Sequence, residues 1–169
     1  MEEFVVLRHG DLNFESEKDI IAIKQEHWNH SKDSQKKWLH SNLKNDDMHL
    51  LLYVDGQLSA YLNLVNIAVC IDEKKIDALG IGNVCVDKCR IRKGYGRKIV
   101  QRANEIIIEK NKIGILLCKE SLEGFYSRLD WQKIRCNDVS VADKDFDKTI
   151  MLFNSSITQI AELSIDRNF

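Results

Sequence analysis

The stretch that decides the fold is "ALGIGNVCVDKCRIRKGYGRKIVQRANEIIIEKNKIGILLC", Ala78 to Cys118. It opens with an apolar run typical of a strand, passes through a basic loop with two glycines, and then shows apolar residues at helical spacing. The segment "KIGILLC", which ends at Cys118, is apolar without alternation, as expected of a strand covered on both faces. This order predicts a β-α-β unit with two parallel strands.

Upstream, the sequence predicts a strand, two helices and a hairpin. "EFVVLR" predicts a short strand, and two polar segments carry apolar residues at helical spacing: Ile20, Ile21, Ile23 and Trp28, then Trp38, Leu39 and Leu43. "MHLLLYV" and "QLSAYLNLV" flank Asp55-Gly56, and this pattern favours an antiparallel hairpin with a tight turn. Alternation in the second strand predicts that it is half-buried: Leu58, Ala60, Leu62 and Leu64 share one face, and Ser59, Tyr61 and Asn63 share the other.

Other segments complete the predicted order. "CIDEKKID", residues 70–77, indicates a charged turn, and "SLEGFYSRL" indicates a short helix with Ser121 as its N-cap. "WQKIRC" and "KTIMLFN" are strand candidates. We expect one domain over residues 1–154 and a C-terminal extension over 155–169, whose structure the sequence leaves open.

Composition limits the class of protein. The chain has 169 residues, of which 44% are apolar, and a formal net charge of −1, whereas a whole-surface nucleic-acid binder is normally far more basic. No apolar run reaches the roughly 18 residues that span a bilayer. We therefore expect a soluble cytoplasmic protein that binds neither nucleic acid nor membrane.

The cysteines and histidines favour neither a disulfide framework nor a metal site. The five cysteines are odd in number and contain no C-x-x-C pair, so we interpret them as buried thiols, Cys118 included. His27, His30 and His40 have metal-like spacing but no cysteine or acidic set around them, so we predict no metal and interpret them as a solvated helix face or part of an acceptor cleft.

The basic glycine loop has the features of an anion site. A helix that starts after a glycine turn presents N–H groups without intrahelical acceptors, and its dipole favours negative charge. Five basic side chains surround the loop: Arg90, Arg92, Lys93, Arg97 and Lys98. The spacing matches neither the P-loop nor the dinucleotide fingerprint, and a solvated basic turn is the alternative.

The loop resembles the acyl-CoA loop of the GNAT superfamily of N-acyltransferases, whose pattern is [RQ]-x-x-G-x-[GA]. "IRKGYG" supplies both glycines, Gly94 and Gly96, while Ile91 stands where the family usually has Arg or Gln. The resemblance implies an α/β (α+β) fold with a mixed, mostly antiparallel sheet of six to seven strands, a central β-α-β unit and helices on both faces. It also implies acetyl-CoA as co-substrate, bound by residues of the fourth strand and the loop: Val84, Cys85, Val86, Ile91, Arg92, Lys93, Gly94, Tyr95, Gly96 and Arg97.

A second segment, "GFYSRLDW", is similar to the family's "FYxxxGF/W" pattern. The resemblance implies that Tyr126 is the general acid that protonates the leaving thiolate. Asp130 stands where the family usually has glycine, and we expect a positive φ there, which Asp tolerates better than most residues. "LLCKESLEGFYSRLDW" also resembles, more distantly, the branch that contains aminoglycoside 2′-N-acetyltransferases.

The resemblance implies direct attack of a primary amine, on a small molecule or a peptide, within a ternary complex. Asn83 and Glu120 are our candidates for the base or for holding a water. Trp28, Trp38, Asp46 and Asp47 suggest a cleft for a cation. Two alternatives stay open: a non-catalytic acyl-CoA-binding or partner-binding module, which Ile91 favours, and a nucleic-acid binder that uses the loop. Homodimerisation is also left open.

Overall fold

The computed structural model describes residues 1–142, 144–145 and 149–169, with 144–145 described by backbone alone. The chain forms two compact units. The first comprises Met1–Val65, Gly82–Ala103 and Phe169, and the second comprises Asn66–Ile81 and Asn104–Asn168.

The first unit contains an antiparallel set of three strands. β1 is Glu2–Arg8, β2 is Met48–Val54, and β3 is Gln57–Ile71, of which the part up to Val65 belongs here. β2 pairs with β1 and with β3. The turn between β2 and β3 has φ of 51° at Asp55 and 76° at Gly56, which is the positive-φ turn that a tight hairpin needs. The predicted hairpin is therefore confirmed.

Helices of this unit begin where the sequence supplies caps. α1 is Phe14–His27, and its N-cap is Asn13, whose side chain accepts from Ser16 N–H. α2 is Lys32–Asn42, and its N-cap is Ser31, whose hydroxyl accepts from Ser34 N–H. Their buried side chains include Ile20, Ile21, Ile23 and Leu39. α3, Tyr95–Glu109, begins in this unit. The two predicted N-terminal helices are confirmed.

The prediction that β3 is half-buried is wrong. Ser59, Tyr61 and Asn63, on its polar face, are fully buried, as are Ala60 and Leu62 on the other face. Alternation misled the prediction because polar atoms on this face have internal partners. The Tyr61 hydroxyl lies 2.8 Å from His49 Nδ1, and Asn63 Oδ1 accepts from the amide of Asn83 at 2.7 Å.

The second unit carries the longer row of strands. Its strands are the end of β3, the first part of β4 (Lys74–Val86), β5 (Ile113–Cys118), β6 (Gln132–Lys133), β7 (Arg135–Val141), β8 (Lys144–Asp145), β9 (Thr149–Phe153) and β10 (Gln159–Ile165). Their order is β6-β9-β5-β4-β3-β10-β7-β8. β4 and β5 are parallel over Ala78–Ile81 and Ile113–Leu116, as predicted, and β7 and β10 are also parallel. The mixed, mostly antiparallel α/β fold is confirmed, with more strands in the described residues than the six to seven expected.

Several boundaries differ from the predictions. The charged turn before β4 contains only Asp72 and Glu73, both at positive φ, because the flanking charged residues continue the strands. Ser121 is not an N-cap: it lies in a 3-10 turn, Glu120–Leu122, and α4 is the shorter Glu123–Ser127. "WQKIRC" divides between β6 and β7. "KTIMLFN" contains β9, while its first residue, Lys148, lies outside the described residues.

The C-terminal segment that the sequence left open forms β10. It pairs with β7 over Gln159–Ile165 and with β3 over Leu163–Ile165. Ile160, Leu163 and Ile165 are buried there. The domain boundary at residue 154 stays a prediction.

Candidate functional site

The end of β4 carries the first group of predicted site residues. Asn83 has φ of 53°, a left-handed backbone within a strand. Its Nδ2 donates to Asn63 Oδ1 at 2.7 Å, so its own Oδ1 is the atom turned to other partners. After Asn83, Val84 and Val86 are half-buried and Cys85 is buried.

The last turn of α1 is bonded to the end of β4 and to the segment that follows it. His27 Nε2 lies 2.7 Å from the carbonyl oxygen of Val86, and since a carbonyl only accepts, this nitrogen carries the proton. Glu26 Oε2 accepts from Lys88 N–H at 2.8 Å. These bonds hold the entrance of the glycine loop. The sequence pattern singled out His27 only as a histidine with metal-like spacing, and it gave no sign of Glu26.

The glycine loop has an unusual backbone. Arg92 and Gly94 have φ of 63° and 85°. The helical ladder of α3 starts with Lys98 N–H donating to the Gly94 carbonyl at 3.1 Å. Among the described residues, no acceptor meets the N–H groups of Tyr95, Gly96 and Arg97. Three N–H donors are therefore grouped at the positive end of the helix dipole.

The five basic side chains around the loop divide into two groups. Arg90 is occupied, because it donates to the Val54 carbonyl and at 2.6 Å to Gln57 Oε1. Lys98 is paired with Glu2 at 2.6 Å. The others are exposed and form no ion pair within the described part of the chain: Arg92, Lys93 and Arg97.

The loop is suited to a phosphate or pyrophosphate. A Cβ built on Gly94 would meet no atom within 4 Å, so the space above the backbone is open to a ligand. Open N–H donors and exposed basic side chains then surround that space. Ile91, which is 53% exposed, offers no polar group at the first loop position.

A cavity of about 310 Å³ also lies in the first unit. It is lined by Lys24, Trp28, His30, Ser34, Gln35, Trp38 and Asn83. Of the four residues that suggested a cleft for a cation, Trp28 and Trp38 line this cavity. Asp46 and Asp47 do not line it, and Asp47 Oδ2 accepts from Lys44 N–H at 2.8 Å. The cation here is Lys24, which the sequence analysis did not identify, although it lies one helical turn after Ile20 on the apolar face of α1.

The remaining predicted residues, Tyr126 and Glu120, belong to the second unit. Tyr126 lies in α4, 6% exposed, with its ring edge-on to those of Phe125 and Trp131. Burial raises the pKa of Tyr126 well above its usual value, because the charged phenolate is poorly solvated there. Glu120 is exposed and lines a cavity of about 640 Å³ with Cys118 and Lys133. Asp130 has φ of 66°, as predicted.

The cysteines are all free, but they are not all buried. Cys85 and Cys118 are buried, and burial raises the pKa of Cys85 to about 12 and also raises that of Cys118, so neither is a ready thiolate. Cys70 and Cys136 are half-buried, and Cys89 is exposed, which corrects the prediction for these three residues.

Two further observations concern metals and membranes. Within the residues that the structure describes, no three His, Cys, Asp or Glu side chains are grouped so that they could hold a metal ion. In the same residues, no helix has the length and apolar character needed to cross a bilayer.

The sequence matches the acetyltransferase (GNAT) domain family over residues 11–134. Because this match covers more than half of the chain, the protein belongs to the GNAT acetyltransferase family, whose members are acyltransferases. No curated protein sequence matches the chain.

Solved structures show the same fold at low sequence identity. Escherichia coli ElaA has a TM-score of 0.69 and 17% identity, over 91% of this chain and 100% of that one. The ribosomal-protein-S18-alanine N-acetyltransferase of E. coli has a TM-score of 0.62 and 18% identity, over 89% and 93%. E. coli YhbS, in complex with CoA, has a TM-score of 0.66 and 15% identity, over 96% and 88%. These similarities establish the fold.

Proposed function

We propose that the protein is an N-acetyltransferase that transfers the acetyl group of acetyl-CoA to a primary amine of a small molecule or peptide. The observation that carries the proposal is the group of open N–H donors at Tyr95, Gly96 and Arg97, in a chain of the GNAT family. These donors and the exposed Arg92 and Lys93 would bind the pyrophosphate. Acetyl-CoA supplies the activated acetyl group as a thioester.

The other predicted residues would then share the remaining tasks. Val84 and Cys85 would contribute backbone groups to the pantetheine arm, with a smaller part for Val86, whose carbonyl already accepts from His27. Asn83 Oδ1 would accept a hydrogen bond from the acceptor amine or from a water that takes its proton. Glu120 is the second candidate for that water. Tyr126, whose buried hydroxyl is protonated at neutral pH, would donate that proton to the thiolate as the carbon–sulfur bond breaks and the amide forms.

The proposal also includes the class of acceptor and the cellular compartment. A solvent-borne amine fits better than nucleic acid, because the 25 Lys and Arg residues are balanced by 26 Asp and Glu residues and the net charge is −1. We also propose a cytoplasmic location, because five free thiols suit a reducing compartment.

The direct test follows free thiol while purified protein is incubated with acetyl-CoA and a panel of primary amines. We expect thiol release that depends on both the protein and an amine. CoA binding in calorimetry without thiol release for any amine would instead indicate the non-catalytic acyl-CoA-binding module that Ile91 favours. Absence of CoA binding would overturn both proposals.

A further inference from the structure

The cavity that Lys24 lines contains a buried cation without an anionic partner. Lys24 is 2% exposed, and its Nζ lies 4.1 Å from the centre of the Trp38 ring and 5.9 Å from that of Trp28. No carboxylate or hydrogen-bond acceptor among the described residues reaches this ammonium. Cation–π contacts recover only part of the cost of burying a charge.

Lys24 remains mostly protonated at neutral pH although its side chain is buried. Burial lowers the pKa of Lys24 to about 8, so most of the side chains still carry a proton at pH 7. Of the residues that line the cavity, none is acidic. The cavity therefore combines two tryptophan rings and several polar side chains with the positive charge of Lys24, and an anionic group would complete it.

We propose that this cavity binds the carboxylate of the acceptor, so that the acceptor is a small amine that also carries a carboxylate, with Lys24 as the partner of that carboxylate. The inference rests on the proposed N-acetyltransferase function and adds the class of substrate. Asn83 lines the same cavity, and because its Nδ2 is bonded to Asn63, its Oδ1 is available as the hydrogen-bond acceptor that suits the amine of such a molecule.

Size and charge both limit the acceptor. The volume of about 310 Å³ is near the lower end of the roughly 300–1,000 Å³ typical of small-molecule sites, which favours an amino-acid-sized ligand. A polycationic acceptor, such as an aminoglycoside, would place positive charge against Lys24 and find no acidic residue in the lining.

The first arm of the test measures binding without catalysis. Trp28 and Trp38 line the cavity, so their fluorescence should report on a bound ligand, whereas Trp131 is buried in the second unit with Nε1 bonded to Asn104. The protein is titrated with N-acetylglycine and with N-acetylglycinamide, which differ only in the carboxylate. We expect saturable binding of the acid at least about tenfold tighter than of the amide, the difference that a charged hydrogen bond typically supplies.

The second arm measures thiol release with acetyl-CoA for a set of amino acids and their amides. We expect kcat/KM to favour the acids by at least about tenfold, and Lys24→Met to abolish the preference while CoA affinity stays as in the wild type. Lys18→Met is the control, because Lys18 lies on the same helix but is 67% exposed and outside this cavity.

The outcomes distinguish a failure of the carboxylate inference from a failure of the proposed acetyltransferase function. Equal binding and equal rates for acids and amides in the wild-type protein would overturn the carboxylate inference, and this comparison requires no variant to fold. An equal loss of rate with acids and amides in Lys24→Met would also overturn it, since Lys24 would then serve proton transfer. Thiol release from neither series, with CoA bound, would count against the acetyltransferase function itself, while the fluorescence arm would still decide whether the cavity binds a carboxylate.

Discussion

Asn83 Nδ2 lies 2.7 Å from Asn63 Oδ1, and this bond joins the positive-φ residue of β4 to the buried polar face of β3. It uses the Nδ2 of Asn83, so Oδ1 is the atom that this residue, which lines the cavity, has left for other partners. Asn63 is fully buried, and its Nδ2 is the unpaired buried side-chain polar atom among the described residues. The Asn63–Asn83 pair thus has one unpaired donor, Asn63 Nδ2, and one acceptor left over, Asn83 Oδ1. Asn83 itself belongs to β4, the predicted pantetheine-binding strand.

The Asn83 side chain can be tested apart from its backbone. Asn83→Gly keeps φ near 53° without strain and removes the side chain, while Asn83→Ala removes it and strains the backbone as well. We expect both variants to lower kcat/KM by about tenfold or more, and Asn83→Ala to be the less stable by roughly 1 kcal/mol. Urea unfolding and thiol-release kinetics measure the two effects. Full activity in Asn83→Gly would remove Asn83 from the proposed chemistry.

If the backbone of the loop binds CoA, a substitution of Gly94 should lower CoA affinity more than a substitution of Arg90. Gly94→Val places a β-branched residue at φ of 85° and fills the open space above the loop, so we expect CoA affinity to fall by roughly tenfold or more. Arg90→Ala should change CoA affinity little, because Arg90 is bound to Val54 and Gln57. Calorimetry with CoA measures both.

Gly94→Asn is the matched control for backbone strain, since Asn tolerates positive φ better than Val. It should bind CoA better than Gly94→Val does. A larger loss in Arg90→Ala than in Gly94→Val would mean that the stretch acts as a basic surface and not as a backbone cradle.

Tyr126→Phe tests the proposed general acid. The change leaves the buried ring in place, and the hydroxyl forms no hydrogen bond within the described part of the chain, so we expect little loss of stability. The rate of thiol release should fall by roughly 10²-fold or more, while CoA affinity stays constant. Tyr53→Phe, which removes a hydroxyl that donates to Asp19 outside the proposed site, is the control that should keep its rate. An unchanged rate in Tyr126→Phe would exclude the proton-donor role.

A buried histidine pair should make the fold sensitive to acid. His49 is fully buried between His9 Nδ1 at 3.0 Å and the Tyr61 hydroxyl at 2.8 Å, and burial lowers its pKa to about 3. Between pH 6.5 and 3 the unfolded chain therefore binds more protons at this position than the folded protein does, and stability falls as pH falls.

From pH 7 to pH 5, this one group should lower the free energy of unfolding by about 2 kcal/mol. The pKa of His9 is also lowered, mainly by burial, so its contribution has the same sign. Urea titrations at both pH values measure the change, in a window that stays above the usual titration of Glu and Asp. His49→Gln should lose most of the dependence, and the same pH dependence in this variant would show that it arises elsewhere.

Patterns within one element were enough to predict much of the fold. The hairpin at Asp55-Gly56, the two N-terminal helices and the parallel pair β4 and β5 follow from local turn chemistry and from apolar periodicity. β10 could not be predicted in the same way, because its buried side chains, Ile160, Leu163 and Ile165, do not follow the strict alternation that identifies a strand, and only its pairing with β7 and β3 shows it.

The sequence predicted the part of the candidate site that depends on local backbone conformation. It did not predict the side chains whose role depends on tertiary packing. Glycine spacing identified the loop around Gly94, whose open N–H groups are a local property of a helix start. Lys24 was missed because a lysine in an amphipathic helix is normally solvated, and only the packing of Trp28 and Trp38 around it shows its burial. For the same reason, the sequence could not show that Arg90 is occupied by the hairpin.

The central claim is that the loop from Ile91 to Arg97 binds the pyrophosphate of an acyl-CoA. It is tested most directly by calorimetric titration of the purified chain with CoA, at low salt and again at high salt. We predict saturable binding to one site that weakens with salt, because Arg92, Lys93 and Arg97 contribute charge. We also predict that the triple alanine variant of these residues binds more weakly but measurably, through the backbone N–H groups. No saturable binding of CoA to the wild-type chain would contradict the account.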